Sequence, residues 1–181
     1  MKTLYGEVSD QIIEKAKAIK LFVCDIDGVF SDGRIYLGND GEELKAFHTK
    51  DGYGIKALAA SGVDIAVITG RQSNIVQTRM TALNVKHIVQ GEEDKLPALK
   101  KIMTSLSLEP QQVAYIGDDM PDYDCMKYVG FSIAVNDAHP SILQLADYTT
   151  YIKGGFGAVR ECCDLMMLSQ STLQFASGAS V

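Results

Sequence analysis

The fold of this chain is decided by a short apolar run that ends in two acidic residues, LFVCDIDG at positions 21–28. Residues 21–26 predict a buried strand, and Gly28 predicts a tight turn directly after it. More strand-like runs follow at 63–68, 86–89, 113–116 and 131–135, and helical patterns separate them near 51–61, 73–83, 94–107, 121–129 and 139–146. This alternation predicts an α/β fold with three layers, in which helices cover both faces of a parallel, Rossmann-like central sheet.

One segment breaks the alternation. Residues 34–47 alternate apolar and polar side chains around Asn39-Asp40-Gly41, which predicts a β-hairpin inserted after the first strand. The chain shows no internal repeat and no long linker, so we expect one domain over residues 1–181. A glycine-rich C-terminal tail is expected over about 153–181, with its last ten or so residues loose.

Composition excludes several classes of partner. The formal net charge of -6 argues against nucleic acid or an anionic membrane as the main partner. No apolar run approaches the roughly 18 residues that a membrane helix needs, and the N-terminus predicts a charged amphipathic helix rather than a signal peptide. The four cysteines form no Cys-x-x-Cys pair, so we expect them to be buried apolar side chains. We therefore expect a cytoplasmic protein without nucleic acid or membrane partners.

The two acids that end the first strand point to phosphoryl chemistry. Ligands of open α/β sheets bind at the carboxyl ends of the strands, so Asp25 and Asp27 are expected to face one mouth. Two such carboxylates repel each other unless a cation lies between them, and Mg²⁺ is the hard cation that prefers oxygen ligands. Asp25 is then suited to attack phosphorus, and Asp27 to act as general acid and base. A solvated acidic loop is the alternative for this pair alone.

The second strand ends in Thr69 and Gly70 just before a helix, where a hydroxyl and free backbone amides can cradle a phosphate. A simple helix cap is the competing interpretation. Lys95 begins a later helix, where it opposes the helix dipole and gains little local stability. A role as the cation that balances the nucleophile and the phosphate explains it better than a solvent-exposed lysine does.

A third group of acids follows the strand at 113–116. Asp118, Asp119 and Asp122 lie within five residues of one another at its carboxyl end. We expect Asp118 to bind the metal directly and Asp122 to bind a metal-bound water, although Asp122 could serve only as a helix cap. Asp119 is expected to contact the substrate or to hold the lysine.

In their order along the chain, these motifs resemble the four motifs of the haloacid dehalogenase-like phosphatase superfamily. The matching residues are Asp25-Ile26-Asp27-Gly28, Thr69-Gly70, Lys95 and Gly117-Asp118-Asp119-x-x-Asp122. The resemblance covers about residues 20–150. It implies an Mg²⁺-dependent phosphatase in which Asp25 is nucleophile and metal ligand. It also implies that Asp27 is acid/base and binds the metal through its backbone carbonyl.

The spacing of the motifs leaves little room for a cap domain. Only the hairpin and one helix separate Asp27 from Thr69, and residues 71–95 hold little beyond a helix and a strand. The active site is therefore expected to be open. Such a site either accepts a large substrate or is closed by another subunit.

Longer stretches resemble one subgroup, the 3-deoxy-D-manno-octulosonate 8-phosphate phosphatases. They are DGRIY at 32–36, KDGYGI at 50–55, TGR at 69–71, QG at 90–91, VAYIGDD at 113–119, DAHP at 137–140 and GGFGAVRE at 154–161. The resemblance implies hydrolysis of that sugar-acid phosphate in lipopolysaccharide biosynthesis of a Gram-negative host. It also implies a homotetramer whose hairpins form a central barrel, with a neighbour's glycine-rich tail over the site.

The resemblance also assigns substrate contacts. They are Asp27, His48, Thr49, Lys50, Asp51, Gly52, Lys56, Gly70, Arg71, Arg79, Lys95 and Asp119. The surplus of cations suits a substrate with both a phosphate and a carboxylate, which arginine recognises in a bidentate way. The chain departs from the family in FHTKDG at 47–52, where Phe-Asn-x-Arg-Asp-Gly is usual, and in Lys56, where Arg is common. These departures bear on sugar specificity, whereas His87 and His139 are expected to be structural.

Three other functions compete with this interpretation. The first is a phosphatase for neuraminate or deaminoneuraminate 9-phosphate, against which Arg71 weighs. The second is a non-catalytic tetramerisation module, which predicts loss of motif residues, whereas all are present. The third and weakest is a protein phosphatase that uses the open site.

Overall fold

A computed structural model describes residues 2–173 of the chain. The strands are β1 Leu21–Cys24, β2 Tyr36–Leu37, β3 Glu43–Leu44, β4 Asp64–Thr69, β5 His87–Gln90, β6 Val113–Gly117, β7 Phe131–Ala134 and β8 Tyr148–Thr149. The helices are α1 Asp10–Lys17, α2 Thr49–Ala60, α3 Asn74–Ala82, α4 Lys95–Leu106, α5 Tyr123–Tyr128, α6 Pro140–Leu145 and α7 Ala158–Ser169. Short 3₁₀ turns cover Pro110–Gln112 and Met120–Asp122.

Six strands form a parallel sheet in the order β5-β4-β1-β6-β7-β8. The central strand β1 is buried along its whole length, as expected for a strand covered on both faces. Cys24 at its end is level with Val67 of β4 and Ile116 of β6. This register brings the carboxyl ends of β1, β4 and β6 to one edge of the sheet.

Helices pack in two layers around the sheet. α7 packs against both α1 and α2, whereas α5 packs against α4 and α6. Buried apolar side chains from the strands and helices form one contiguous core. The α/β fold with a parallel sheet that the sequence predicts is therefore confirmed. No helix within residues 2–173 is long and apolar enough to cross a bilayer.

The sequence places most elements within a few residues of their observed bounds. The hairpin is the antiparallel pair β2–β3, which is shorter than the predicted 34–47. β8 is an element that the sequence analysis missed. Within the segment expected to be a glycine-rich tail, about 153–181, residues 158–169 form helix α7. Residues 174–181, which were expected to be loose, lie outside the described residues.

Candidate active site

Three carboxylates converge at the edge of the sheet where β1 and β6 end. Asp25 follows β1, Asp118 follows β6, and Asp122 lies in the 3₁₀ turn after it. One carboxylate oxygen from each of the three lies within 4.8 Å of the others. The backbone N–H of Asp25 also donates to the carbonyl oxygen of Ile116 at 3.1 Å, which ties the end of β1 to β6. The predicted metal-ligand side chains are thus brought together.

Lys95, the first residue of α4, reaches into this acidic cluster. Its Nζ lies 2.9 Å from Asp25 Oδ1 and 2.7 Å from Asp122 Oδ1, and its side chain is 2% exposed. A lysine buried to this degree needs such partners, because an unpaired charge is costly away from water. These ion pairs explain why a lysine begins α4, where it opposes the helix dipole. The sequence likewise predicts that Lys95 is a cation beside Asp25.

Asp122 organises the cluster. It accepts hydrogen bonds from Tyr115 Oη at 2.8 Å, from the Asp118 backbone N–H at 3.0 Å and from Lys95. Asp119 is exposed, and its carboxylate caps the N–H of Met120 at 2.8 Å. Asp119 was considered as the residue that holds Lys95, but in this structure Asp25 and Asp122 form the ion pairs with it. Tyr115 was missed because its strand pattern signals only burial.

When its carboxyl groups are ionised, the cluster carries more negative than positive charge. Burial, followed by repulsion from Asp122, raises the pKa of Asp25 to about 7 against the opposing effect of Lys95. Burial and then the Asp25 and Asp122 charges raise the pKa of Asp118 to about 8. Burial opposes the charge of Lys95, yet the same two carboxylates raise its pKa above the usual value. One ammonium cannot balance three carboxylates, and oxygen donors in this arrangement fit Mg²⁺.

Glycines allow the acids to approach the backbone closely. A Cβ on Gly28, which has φ of +90°, would overlap the Asp118 carboxylate. A Cβ on Gly117 would likewise overlap the Asp122 side chain. Gly28 therefore lets the turn after β1 lie against Asp118, and Gly117 lets the turn after β6 fold back so that Asp122 lies against its backbone.

An open pocket contains all the catalytic and metal residues that the sequence predicts. It is lined by Asp25, Asp27, Gly33, Thr69, Gly70, Arg71, Glu93, Lys95, Asp118, Asp119, Pro121 and Asp122. Thr69 is 2% exposed at the end of β4, with Gly70 and Arg71 directly after it. Five of the substrate contacts that the resemblance implies line this pocket: Asp27, Gly70, Arg71, Lys95 and Asp119.

The remaining predicted substrate contacts lie around the start of α2. His48 caps this helix through Nδ1, which accepts the Lys50 N–H at 3.1 Å. A Cβ on Gly52 would overlap the guanidinium of Arg79, so Arg79 of α3 lies against α2. We call His48, Thr49, Lys50, Asp51, Gly52, Lys56 and Arg79 the α2 cluster; these residues are distinct from those that line the pocket.

Asp51 has an unusual environment within the α2 cluster. Its Oδ1 accepts the Arg160 N–H of α7 at 2.8 Å, whereas Oδ2 is buried without a hydrogen-bond partner among residues 2–173. Burial raises the pKa of Asp51 to about 7 against the opposing effects of Arg160, Arg79 and Lys50. The carboxyl group therefore serves as a link between α2 and α7 in this structure.

The hairpin contributes two contacts that the sequence analysis missed. Lys45 Nζ pairs with Asp27 Oδ1, and the Lys45 side chain is only 3% exposed. Arg71 Nη2 lies 3.0 Å from Glu43 Oε1 in a more exposed ion pair. The only available signal was that the hairpin directly follows the loop of Asp27. Its alternation does not tell where the hairpin packs.

Comparisons with known proteins agree with this geometry. The model of the haloacid dehalogenase-like hydrolase family matches residues 86–154. This match and the four motifs at the strand ends together define the class of the protein as a haloacid dehalogenase-like hydrolase.

The relatives narrow the class further. The 3-deoxy-D-manno-octulosonate 8-phosphate phosphatase KdsC of Yersinia pestis is 52% identical over 99% of this chain and 96% of its own length. A crystal structure from the same organism, also of that phosphatase, has a TM-score of 0.97 at 51% identity and covers 100% of this chain and 98% of its own. The chain therefore belongs to the family of 3-deoxy-D-manno-octulosonate 8-phosphate phosphatases.

A further solved relative contains ligands. It is the 3-deoxy-D-manno-octulosonate 8-phosphate phosphatase of Moraxella catarrhalis, in complex with magnesium, phosphate and KDO. It is 44% identical, has a TM-score of 0.89, and covers 91% of this chain and 94% of its own.

Proposed function

We propose that this protein hydrolyses 3-deoxy-D-manno-octulosonate 8-phosphate to the free sugar acid and phosphate, using Mg²⁺ and an aspartyl-phosphate on Asp25. The observation that carries the proposal is the convergence of Asp25, Asp118 and Asp122 around Lys95 in an open pocket. Near-full-length relatives of the same family support the choice of substrate. The product sugar acid serves lipopolysaccharide biosynthesis.

The residues divide the chemistry among themselves. Asp25, Asp118 and the backbone carbonyl of Asp27 would hold Mg²⁺, with Asp122 acting through a metal-bound water. When bound, the ion neutralises charge on the nucleophile and on the transferring phosphoryl group. Thr69 and the N–H of Gly70 lie at the end of β4, where they can orient phosphoryl oxygens.

The reaction proceeds in two displacements. The Asp25 carboxylate attacks phosphorus while Asp27 donates a proton to the departing sugar oxygen. Asp27 then takes a proton from water as that water attacks the aspartyl-phosphate, which returns Asp25 to a free carboxylate. Lys95, 2.9 Å from Asp25 Oδ1, favours the ionised nucleophile throughout.

The α2 cluster suits the sugar end of the substrate. Lys50, Lys56 and Arg79 supply cations for the sugar carboxylate, and Arg71 adds one at the mouth of the pocket. None of the residues of the α2 cluster lines the pocket of the same chain. We therefore propose that the site is completed between neighbouring copies, so that the α2 cluster of one subunit serves the pocket of another.

A homotetramer built on the hairpin would supply this arrangement. Ile35, Leu37 and Leu44 are 59%, 71% and 58% exposed on or beside the hairpin strands. Clustered exposed apolar side chains typically mark protein interfaces. We also propose a cytoplasmic location, which the free, buried state of all four cysteines in the described chain supports.

A phosphate-release assay tests the proposal. The purified protein with Mg²⁺ is offered the octulosonate 8-phosphate, neuraminate 9-phosphate, deaminoneuraminate 9-phosphate and a phosphopeptide. We expect the octulosonate ester to have the highest kcat/KM and Asp25→Asn to abolish its turnover without changing the oligomeric state. A higher kcat/KM for a 9-phosphate or for the phosphopeptide would overturn the proposed substrate, and full activity of Asp25→Asn would overturn the nucleophile.

A further inference from the structure

A loop between β8 and α7 packs behind the turn that carries Asp27. We call residues 151–157 the glycine loop and residues 27–32 the acid/base turn. The Gly155 N–H donates to the Val29 carbonyl oxygen at 2.8 Å. A Cβ on Gly154 would overlap the carbonyl oxygen of Gly28, so the two backbones are in direct contact. The glycine loop thus supports, within the same chain, the backbone that positions the general acid and base.

Glu161 in the first turn of α7 holds the glycine loop. Its Oε1 accepts the Tyr151 N–H at 2.9 Å and the Tyr148 hydroxyl at 2.6 Å, and its Oε2 accepts the Ile152 N–H at 3.0 Å. The residue is 0% exposed, so these bonds form away from water. Both oxygens of a buried carboxylate are therefore committed to the start of this loop and to the strand before it.

A second side chain fixes the middle of the loop. Asp137 Oδ1 accepts the Gly154 N–H at 3.0 Å, directly beside the contact with Gly28. Asp137 is itself exposed, so it contributes an anchor without contributing to the core. Two acidic residues far apart in sequence thus hold one loop against one turn.

We propose that Glu161, assisted by Asp137, is a positioning residue that acts on catalysis through the acid/base turn and Asp27. The inference rests on the proposed function, because it assumes that Asp27 transfers the proton. When Glu161 is lost, the glycine loop relaxes, its contact with Gly28 loosens, and Asp27 moves out of line with the leaving oxygen. Phosphoryl attack by Asp25 is less affected, because Asp25 is tied to β6.

Two substrates separate proton transfer from the rest of the reaction. A sugar phosphate leaves as a strongly basic alkoxide and needs the proton from Asp27, whereas p-nitrophenolate leaves without one. In Glu161→Gln the amide can accept from only one of the two loop N–H groups, so one of them loses its partner. We expect kcat/KM for the octulosonate ester to fall about tenfold and that for p-nitrophenyl phosphate to fall less than about threefold.

Asp164→Asn is the matched control. Asp164 is a buried carboxylate one turn further along α7, and it bonds Arg160 Nε and the Tyr5 hydroxyl instead of the glycine loop. We expect its two kcat/KM values to change by the same factor. Asp137→Ala, at an exposed position, should reproduce the selective loss at about threefold even if Glu161→Gln folds poorly.

An equal loss on both substrates in Glu161→Gln and Asp137→Ala, or no loss in either, would overturn the positioning role. Failure of the proposed function gives a different result. In that case the unsubstituted protein would turn over p-nitrophenyl phosphate but not the octulosonate ester, and the comparison would be repeated with the alkyl phosphate that it does accept. Selective loss on that alkyl ester would still support the role of Glu161.

Discussion

The pocket is mostly acidic, whereas the α2 cluster is mostly basic, and the two share no residues. The pocket brings acids from the ends of β1 and β6 together around a buried lysine, so the fold of one chain assembles these charged side chains. The α2 cluster contains cations and one acid around the start of a helix, and its residues are distinct from those that line the pocket. From this difference we predict that the reaction depends on the fold of one chain, whereas recognition of the sugar depends on the proposed assembly.

Removing the cation of the pocket should have the largest effect. In Lys95→Met, Asp25 and Asp122 lose their shared partner in a buried site. We expect the free energy of unfolding without Mg²⁺ to fall by about 3–5 kcal/mol and kcat to fall roughly a thousandfold. Chemical denaturation and phosphate release measure the two quantities.

Lys86→Met is the control for Lys95, because Lys86 pairs with Asp64 at 3.1 Å with its side chain 75% exposed. Such a pair contributes only about 0–1 kcal/mol, so activity should be unchanged. Equal effects of the two substitutions on stability and activity would contradict the claim that the buried ion pairs of Lys95 contribute more than an exposed pair does.

Removing a cation of the α2 cluster should act on recognition alone. We expect Arg79→Ala to raise KM for the octulosonate ester about thirtyfold, because a bidentate carboxylate contact is lost. The kcat/KM for p-nitrophenyl phosphate, which lacks the sugar carboxylate, should stay within about twofold. Lys101→Ala, at an exposed position on α4, should change neither value. Loss of p-nitrophenyl phosphate turnover in Arg79→Ala would place Arg79 in the chemistry instead.

Disrupting the proposed assembly should also raise KM for the octulosonate ester, but by less than Arg79→Ala does. Leu37 is 71% exposed on β2, and Leu37→Asp places a charge on the proposed interface. We expect sedimentation to show subunits smaller than a tetramer, with KM for the sugar substrate raised about tenfold as the shared contacts are lost. If the dissociated protein keeps its original KM, then each subunit binds the sugar by itself.

The stability of the metal-free protein should also depend on pH. Asp25 and Asp118 have folded-state pKa values of about 7 and about 8, against an ordinary value of 3.8. The folded protein therefore holds more protons than the unfolded chain between about pH 4 and pH 8. The free energy of unfolding without metal should thus fall as pH rises through that window.

Mg²⁺ should weaken this decline, because it stabilises the ionised carboxylates. Asp118→Asn should weaken it as well, since the residue no longer titrates. Denaturant midpoints measured from pH 4 to pH 8, with EDTA or with Mg²⁺, report both changes. The same decline with EDTA, with Mg²⁺ and in Asp118→Asn would mean that other titrating groups determine the pH dependence of the free energy of unfolding.

Sequence reasoning reached the pocket because its residues lie at strand ends, and strand ends are visible in the apolar pattern. Asp25, Thr69 and Asp118 each follow an apolar run, and a parallel sheet brings such ends together. Strand β8 was missed because two residues carry too little pattern. Helix α7 lies in the segment that was described by the glycines before it, and the apolar residues that it buries become apparent only in the structure.

Tertiary contacts explain the remaining differences. The pairing of Lys45 with Asp27 depends on how the hairpin packs, which its own alternation does not encode. Arg79 packs against Gly52 of α2 and is not among the residues that line the pocket, and this contact joins two helices whose packing the sequence pattern does not encode. The support of the acid/base turn by residue 154 likewise arises from chain segments far apart in sequence.

Trapping a covalent intermediate is the decisive test of Asp25 as the nucleophile. The protein with Mg²⁺ is mixed with the octulosonate 8-phosphate, quenched in acid within milliseconds, digested and examined by mass spectrometry. We expect one phosphate on the peptide that contains Asp25, and no phosphate on that peptide when Asp25→Asn is treated in the same way. A phosphate on another residue, or turnover with no phosphorylated peptide at any quench time, would contradict this role of Asp25.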